Sequence, residues 1–149
     1  MRLVRKAGIG LGLAIWLVAP AWTEGPGYRL IVNAANPVGV LRREDAAKLF
    51  LERAAAWKHG APADPVDQSA TSAVRQDFST EVLGQPVTGI ENYWRKRMLE
   101  KREAPPKVKT TDEDVIAYVA KSPGGIGYVS AAATLPATVR EIKLADAPR

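Results

Sequence analysis

Apolar residues along the chain fall into runs whose spacing predicts alternating strands and helices. The run Tyr28–Asn33, YRLIVN, is β-prone and is followed by the turn-forming AANP, so it predicts a buried strand. Apolar residues at helical spacing follow Glu44 and Asp45, which predicts a short helix from Arg43 to Leu51 with acidic residues at its N-terminal end. The Gly- and Pro-rich segment KHGAPADPV then breaks the chain, with room for a short extended piece over residues 63–66.

Two further helices follow in the middle of the chain. Val74, Phe78 and Val82 recur on one face before Gly84, which predicts a helix over residues 72–83. The segment GIENYWRKRMLEKR carries an apolar side and a basic side, and it predicts a third helix whose Trp94 and Met98 pack into the core.

The last third of the chain predicts a helix and two strands. Thr110 stands three residues before Glu113, a capping-box arrangement that opens a fourth helix ending before Pro123. The segments IGYVS, residues 126–130, and TVREIKLA, residues 138–145, have strand character. Interleaved strands and helices favour an α/β fold with a mainly parallel or mixed sheet.

The N-terminus has the form of a secretory signal peptide. A charged start precedes an apolar run, residues 7–18, and the small residues Ala19-Pro20-Ala21 stand at cleavage spacing. An uncleaved membrane anchor is the competing interpretation, but the run is short for a span of about 20 residues and contains glycines. We therefore expect residues 1–21 to be removed and residues 22–149 to form one periplasmic or secreted domain.

Composition narrows the function classes. The chain has no cysteine, which excludes a disulfide framework, thiolate chemistry and a lipid-attachment cysteine. Residues 1–21 carry three positive charges and no acidic residue, so their removal lowers the formal net charge from +5 to +2. Much of the basic character belongs to the signal segment, and we expect no nucleic-acid partner.

Signals for an enzyme are poor. The single histidine, His59, lies in a Gly/Pro-rich turn without a nucleophile motif, and neither a metal-ligand spacing nor a Gly-rich phosphate loop is present. The acidic run at the start of the fourth helix is explained by the helix dipole. We expect no enzymatic activity, no cofactor and no metal.

The stretch DQSATSAVRQDF, residues 67–78, is the best candidate for a binding site. Free N–H groups at a helix N-terminus favour an oxyanion, Ser69, Thr71 and Ser72 could add hydroxyl donors, and Arg75 lies one turn further on. The alternative is that Ser72 or Thr71 only caps the helix. Helix physics alone favours the capping interpretation.

A family resemblance adds to this picture. Leu41, Phe50-Leu51, Trp57 and Gly60 come first, followed by Ser72-Ala73-Val74-Arg75 with Phe78, and then by Pro123-Gly124-Gly125-Ile126-Gly127-Tyr128-Val129. In order and spacing these segments resemble the phosphate-binding component of ABC transporters, a branch of the type II periplasmic binding proteins. The chain departs from the family pattern at Glu52, where glycine is usual, and at Ala73 and Val74, which replace Gly-Thr.

The resemblance covers only the second lobe of that family and the hinge strand that enters it. It implies a three-layer α/β sandwich with a small mixed sheet, and an exported solute-binding-like protein for phosphate or a related oxyanion, linked to ABC-type uptake. Ser72 and Arg75 are the implied anion contacts, with Thr71 and Ser69 secondary, and a second chain or an envelope protein would complete the cleft. The alternative is a non-enzymatic envelope interaction module that kept the fold and lost the ligand.

Overall fold

A computed structural model of the protein describes residues 27–52 and 55–146. The predicted signal peptide, residues 1–21, lies outside the described residues. Within them the chain forms seven strands and four helices. In chain order they are β1 (Tyr28–Asn33), β2 (Val40–Arg42), α1 (Arg43–Leu51), β3 (Asp64–Gln68), α2 (Ala73–Glu81), α3 (Val87–Lys101), β4 (Lys107–Lys109), α4 (Asp112–Lys121), β5 (Gly125–Ser130), β6 (Val139–Glu141) and β7 (Lys143–Ala145).

The main sheet has five strands in the order β4-β3-β5-β1-β6. Strand β3 runs parallel to both β4 and β5, whereas β1 is antiparallel to β5 and β6. This is the small mixed sheet that the sequence predicts. Strands β2 and β7 form a separate parallel pair in which Leu41 is opposite Leu144.

The two faces of the main sheet bury different helices, because side chains alternate along each strand. On β1, Leu30 and Val32 face the larger core cluster, while Ile31 faces the smaller one. The larger cluster holds α1, α2 and α3 through side chains that include Phe50, Phe78 and Trp94. The smaller cluster holds α4 through Val115 and Val119. The result is the expected three-layer sandwich.

Several predicted elements have the bounds that the pattern gave. Strand Tyr28–Asn33 and helix Arg43–Leu51 agree residue for residue, and α2 lies inside the predicted 72–83 with Ser72 as its N-cap. Gly84 follows with a φ of 72°, a conformation that glycine adopts without strain. The third helix ends at Lys101, because Arg102 has a left-handed φ of 55°.

The predicted strand over residues 138–145 is wrong in one respect, because it consists of two strands in different sheets. β6 pairs with β1, and at Ile142 the chain leaves that edge so that β7 can run beside β2. Ile142 is buried and its N–H donates to the carbonyl of Leu30 at 2.9 Å. The buried residues Val139 and Ile142 stand three apart, so the apolar alternation changes phase at Arg140 and Glu141, and the prediction of one continuous strand overlooked this break.

The predicted capping box at Thr110 is off by one residue. Thr111 is the N-cap of α4, and its Oγ1 accepts from the N–H of Asp114 at 3.1 Å. The carboxylate of Asp112 accepts from the N–H of Ser130 at 3.2 Å, which fixes the helix start against β5. No helix within the described ranges is long and apolar enough to cross a membrane.

Two short strands were not predicted, and the predicted burial of one side chain is wrong. β2 and β4 have three residues each, too few for a periodic signal. Trp94 is buried in the core as expected, but Met98 is 49% exposed. The predicted core position of Met98 is therefore wrong.

Candidate functional site

The loop between β3 and α2 lies where three strands end. Because β3, β4 and β5 run in the same direction, their last residues, Gln68, Lys109 and Ser130, stand at one edge of the sheet. Ligands of open α/β sheets bind outside such carboxyl ends. The helices α2 and α4 also begin at this edge. The fold therefore places the predicted loop, residues 69–72, at the carboxyl ends of the strands, where open α/β sheets bind ligands.

Ser72 acts as the helix cap. Its Oγ accepts from the N–H of Arg75 at 3.3 Å and donates to Oε1 of Gln68 at 2.9 Å. The single hydroxyl proton is used in the second bond, so this side chain has no donor left for an anion. The structure thus supports the capping interpretation of Ser72, which also ties the end of β3 to the start of α2.

Ser69 and Thr71 lie further out on the same loop. Their hydroxyl oxygens are 3.1 Å apart and share one hydrogen bond, which leaves the other hydroxyl proton free. Thr71 is exposed and Ser69 is half-buried. Within the described residues, the N–H groups of Ala73 and Val74 have no partner, as is usual in the first turn of a helix. These outer groups are the donors that an anion could reach.

Arg75 turns away from the loop and into the fold. Its guanidinium forms an ion pair with Asp67, and Nη1 donates to the Tyr128 hydroxyl at 3.4 Å. Tyr128 in turn donates to Asp67, and the Gln68 N–H donates to Oδ1 of Asp67 at 2.9 Å. The Arg75 side chain is only 6% exposed. The structure therefore brings Ser69, Thr71 and Ser72 together but directs Arg75 to an internal carboxylate.

Burial has the largest effect on the pKa values of Arg75 and Tyr128 in this network. It lowers the pKa of the Arg75 guanidinium, while Tyr128 and the charge of Glu91 act in the opposite direction. Burial also raises the pKa of Tyr128 to about 12, so the hydroxyl keeps its proton and can donate to Asp67 at neutral pH. The Nε of Arg75 is buried and has no hydrogen-bond partner in the part of the chain that the structure describes.

Sequence reasoning missed three residues of the site. Gln68 Nε2 donates to the Tyr128 carbonyl at 2.8 Å and to the Asp112 carboxylate at 3.0 Å. Asp112 thus fastens the end of β3 to β5 and places a negative charge at the candidate edge. The available signal was the position of Gln68 and Tyr128 on adjacent strands. Which residues they contact depends on sheet order, which a single sequence does not give.

His59 and the carboxylates are the other candidates for chemistry among the polar side chains. His59 is exposed, and its ring lies parallel to Trp57 with centroids 6.3 Å apart. Over residues 27–52 and 55–146, no three histidine, aspartate or glutamate side chains are grouped so that they could hold a metal ion. The edge at the start of α2 presents hydrogen-bond donors, namely the Ser69 and Thr71 hydroxyls and the first N–H groups of α2.

Solved structures share this fold. One is an ABC-type phosphate transport receptor from Vibrio cholerae, with a TM-score of 0.60, 22% identity, and coverage of 79% of this chain and 46% of the receptor. Another is PstS from Borrelia burgdorferi, with a TM-score of 0.59, 12% identity, and coverage of 83% of this chain and 49% of PstS. No protein-family model and no curated protein matches the sequence.

The resemblance inferred from the motifs is thus confirmed at the level of fold. The aligned part spans less than half the length of these binding proteins, as expected for one lobe of a two-lobed molecule.

Proposed function

We propose that the protein is a non-enzymatic, exported binding protein that holds phosphate or a related oxyanion weakly at the start of α2. One observation carries the proposal: the Ser69 and Thr71 hydroxyls and the free N–H groups of Ala73 and Val74 lie together at the carboxyl edge of the sheet. Two structures with the same fold are described as a phosphate transport receptor and as PstS.

The arrangement supports weak rather than tight binding. A hydrogen bond to a charged group contributes about 1.5–3 kcal/mol when buried and less when water competes. The α2 start offers only a few such donors, on an open edge. Asp67 neutralises Arg75, and Asp112, Glu113 and Asp114 add negative charge at the start of α4. A dissociation constant near 1 mM, equivalent to about 4 kcal/mol, fits this balance.

A second chain could complete the cleft. The protein matches one lobe, and the anion would stay partly solvated on that lobe alone. A partner in the envelope that supplies further donors would raise the affinity by excluding water. An ABC-type permease would be the transport partner in this proposal.

A second candidate function has its own support. The ion pair with Asp67 neutralises Arg75, so this arginine does not attract an anion. The acidic residues at the start of α4 repel an anion. These features fit an envelope interaction module that has kept the fold and no longer binds an oxyanion.

Thermal shift with phosphate, sulfate and chloride separates the two candidates. We expect phosphate and sulfate at about 20 mM to raise Tm beyond chloride at equal ionic strength, because ligand binding stabilises the native state. The double variant Ser69→Ala/Thr71→Ala should lose this shift. Thr80→Ala/Thr88→Ala, which removes two exposed hydroxyls from α2 and α3, is the matched control. No phosphate-dependent shift would favour the interaction module.

A further inference from the structure

A groove separates α3 from the edge of the main sheet formed by β3 and β4. Its volume is about 370 Å³, within the range of small-molecule sites. The Ser69 and Thr71 hydroxyls do not line it. The residues on which its chemistry depends are Arg75, Glu91, Trp94, Arg95, Met98 and Val108.

One side of the groove is apolar and open. Met98 is 49% exposed and Val108 is 57% exposed, although both are large hydrophobic side chains. Trp94 lies beneath them and is 6% exposed. Two exposed apolar side chains beside a buried indole provide a surface that an apolar ligand group would cover, with a gain of about 25 cal/mol per Å².

The groove also carries charges of both signs. Arg95 and Glu91 form no ion pair with any residue in the described ranges, and Arg95 Nη1 donates only to the Asn92 side chain, at 2.7 Å. Arg75 forms part of the inner wall, and its buried Nε lacks a partner within the same ranges. The charge of Glu91 acts on the Arg75 guanidinium. Within the described ranges, the groove therefore offers a ligand one cation, Arg95, and one anion, Glu91, that no ion pair neutralises.

We propose that this groove binds a zwitterionic α-amino acid with a bulky apolar side chain. The carboxylate would contact Arg95, the ammonium would contact Glu91, and the side chain would cover Met98 and Val108. Asp67 also lines the groove and neutralises Arg75, so Glu91 and Arg95 carry its unpaired charges. A simple carboxylate would be repelled by Glu91, and a simple cation by Arg95. This site borders the proposed oxyanion site, because Ala70 lines the groove, but it uses other polar groups and does not depend on that site.

Isothermal titration calorimetry with three related compounds tests the chemistry. L-leucine should bind, while N-acetyl-L-leucine, which lacks the ammonium, and L-leucinamide, which lacks the carboxylate, should each bind at least about tenfold more weakly. The purified protein is used without phosphate, so that the oxyanion site plays no part.

Matched variants on α3 locate the binding. Glu91→Gln should weaken leucine and strengthen N-acetyl-leucine, because the variant removes both the partner of the ammonium and the charge that repels a simple carboxylate. Arg95→Gln should weaken both. Lys96→Gln changes an exposed residue of the same helix that does not line the groove, so it should leave leucine affinity unchanged. All three side chains are exposed, and the variants should fold.

Three results would overturn the proposal. The first is the absence of any heat of binding with L-leucine or L-phenylalanine at about 20 mM. The second is equal affinity for leucine and its two blocked analogues. The third is a loss of leucine affinity in Lys96→Gln equal to that in Arg95→Gln.

Discussion

The guanidinium of Arg75 on α2 forms an ion pair with the carboxylate of Asp67 on β3, and the two side chains are 6% and 8% exposed. Tyr128 on β5 joins the pair, since its hydroxyl donates to Asp67 and accepts from Arg75. The arginine that sequence reasoning assigned to an anion is therefore bound to a carboxylate of the same chain. A helix, two strands and the candidate loop are held together by this network.

Breaking the pair should be costly. Asp67→Asn leaves Arg75 buried without its counter-charge, and we expect the free energy of unfolding to fall by about 3–5 kcal/mol, as measured by urea denaturation. Asp146→Asn removes the 83% exposed partner of Arg43 and should cost less than about 1 kcal/mol. Equal effects of the two variants would contradict the account.

High pH should destabilise the fold. Burial is the largest cause that raises the pKa values of Tyr28, Tyr118 and Tyr128 from 10.0 to about 12. The unfolded chain loses these phenol protons at a lower pH than the native state does. Between pH 10 and about 12 the unfolded state therefore binds fewer protons than the native state, so the free energy of unfolding must fall as pH rises. Urea denaturation across this range checks the sign. A stability that is constant or rising there would show that the phenols titrate normally in the native state.

Two glycines, Gly124 just before β5 and Gly127 within it, should be required for packing. A Cβ at Gly124 would lie 2.0 Å from the carbonyl oxygen of Pro62, and one at Gly127 would lie 2.7 Å from Val115. We expect Gly127→Ala to cost about 1–3 kcal/mol through overpacking, and Gly124→Ala at least as much because it meets backbone. Gly39→Ala, with nothing within 4 Å, is the control. Denaturation midpoints that match the control would refute this.

The cap of α2 should have a measurable effect on stability. Ser72→Ala removes the acceptor for the Arg75 N–H and the donor to Gln68, so we expect a loss of about 1 kcal/mol or more. Thr80→Ala, on the exposed side of the same helix, should change stability by less than about 0.5 kcal/mol. If both substitutions have the same effect in thermal denaturation, Ser72 does not cap the helix in solution.

Local patterns predicted most of the elements. Tyr28–Asn33 and Arg43–Leu51 have strong apolar spacing and clear boundaries, and both were correct. The change of strand partner at Ile142 was missed, although the two consecutive polar residues Arg140 and Glu141 interrupt the alternation just before it. The cap of α4 was missed because two adjacent threonines are equivalent in sequence, and contacts of Asp112 with β5 select Thr111.

The candidate oxyanion site stays a prediction, and the sequence indicated only part of the contacts that its residues make. Ser69, Thr71 and Ser72 are neighbours in sequence, so the chain itself brings them together. The direction of Arg75 depends on Asp67 and Tyr128, which reach it only through the order of β3 and β5 in the sheet. The sequence around an arginine at a helix start does not show whether its side chain faces solvent or a buried carboxylate.

Two-dimensional ¹H–¹⁵N NMR during a phosphate titration tests the central claim most directly. The account predicts that amide signals of residues 69–74 shift progressively and saturate with a dissociation constant near 1 mM, while signals of α3 stay in place. Unchanged amide signals at about 50 mM phosphate would contradict the proposed oxyanion site. Saturation near 1 μM would contradict the proposal that one lobe alone binds the anion weakly.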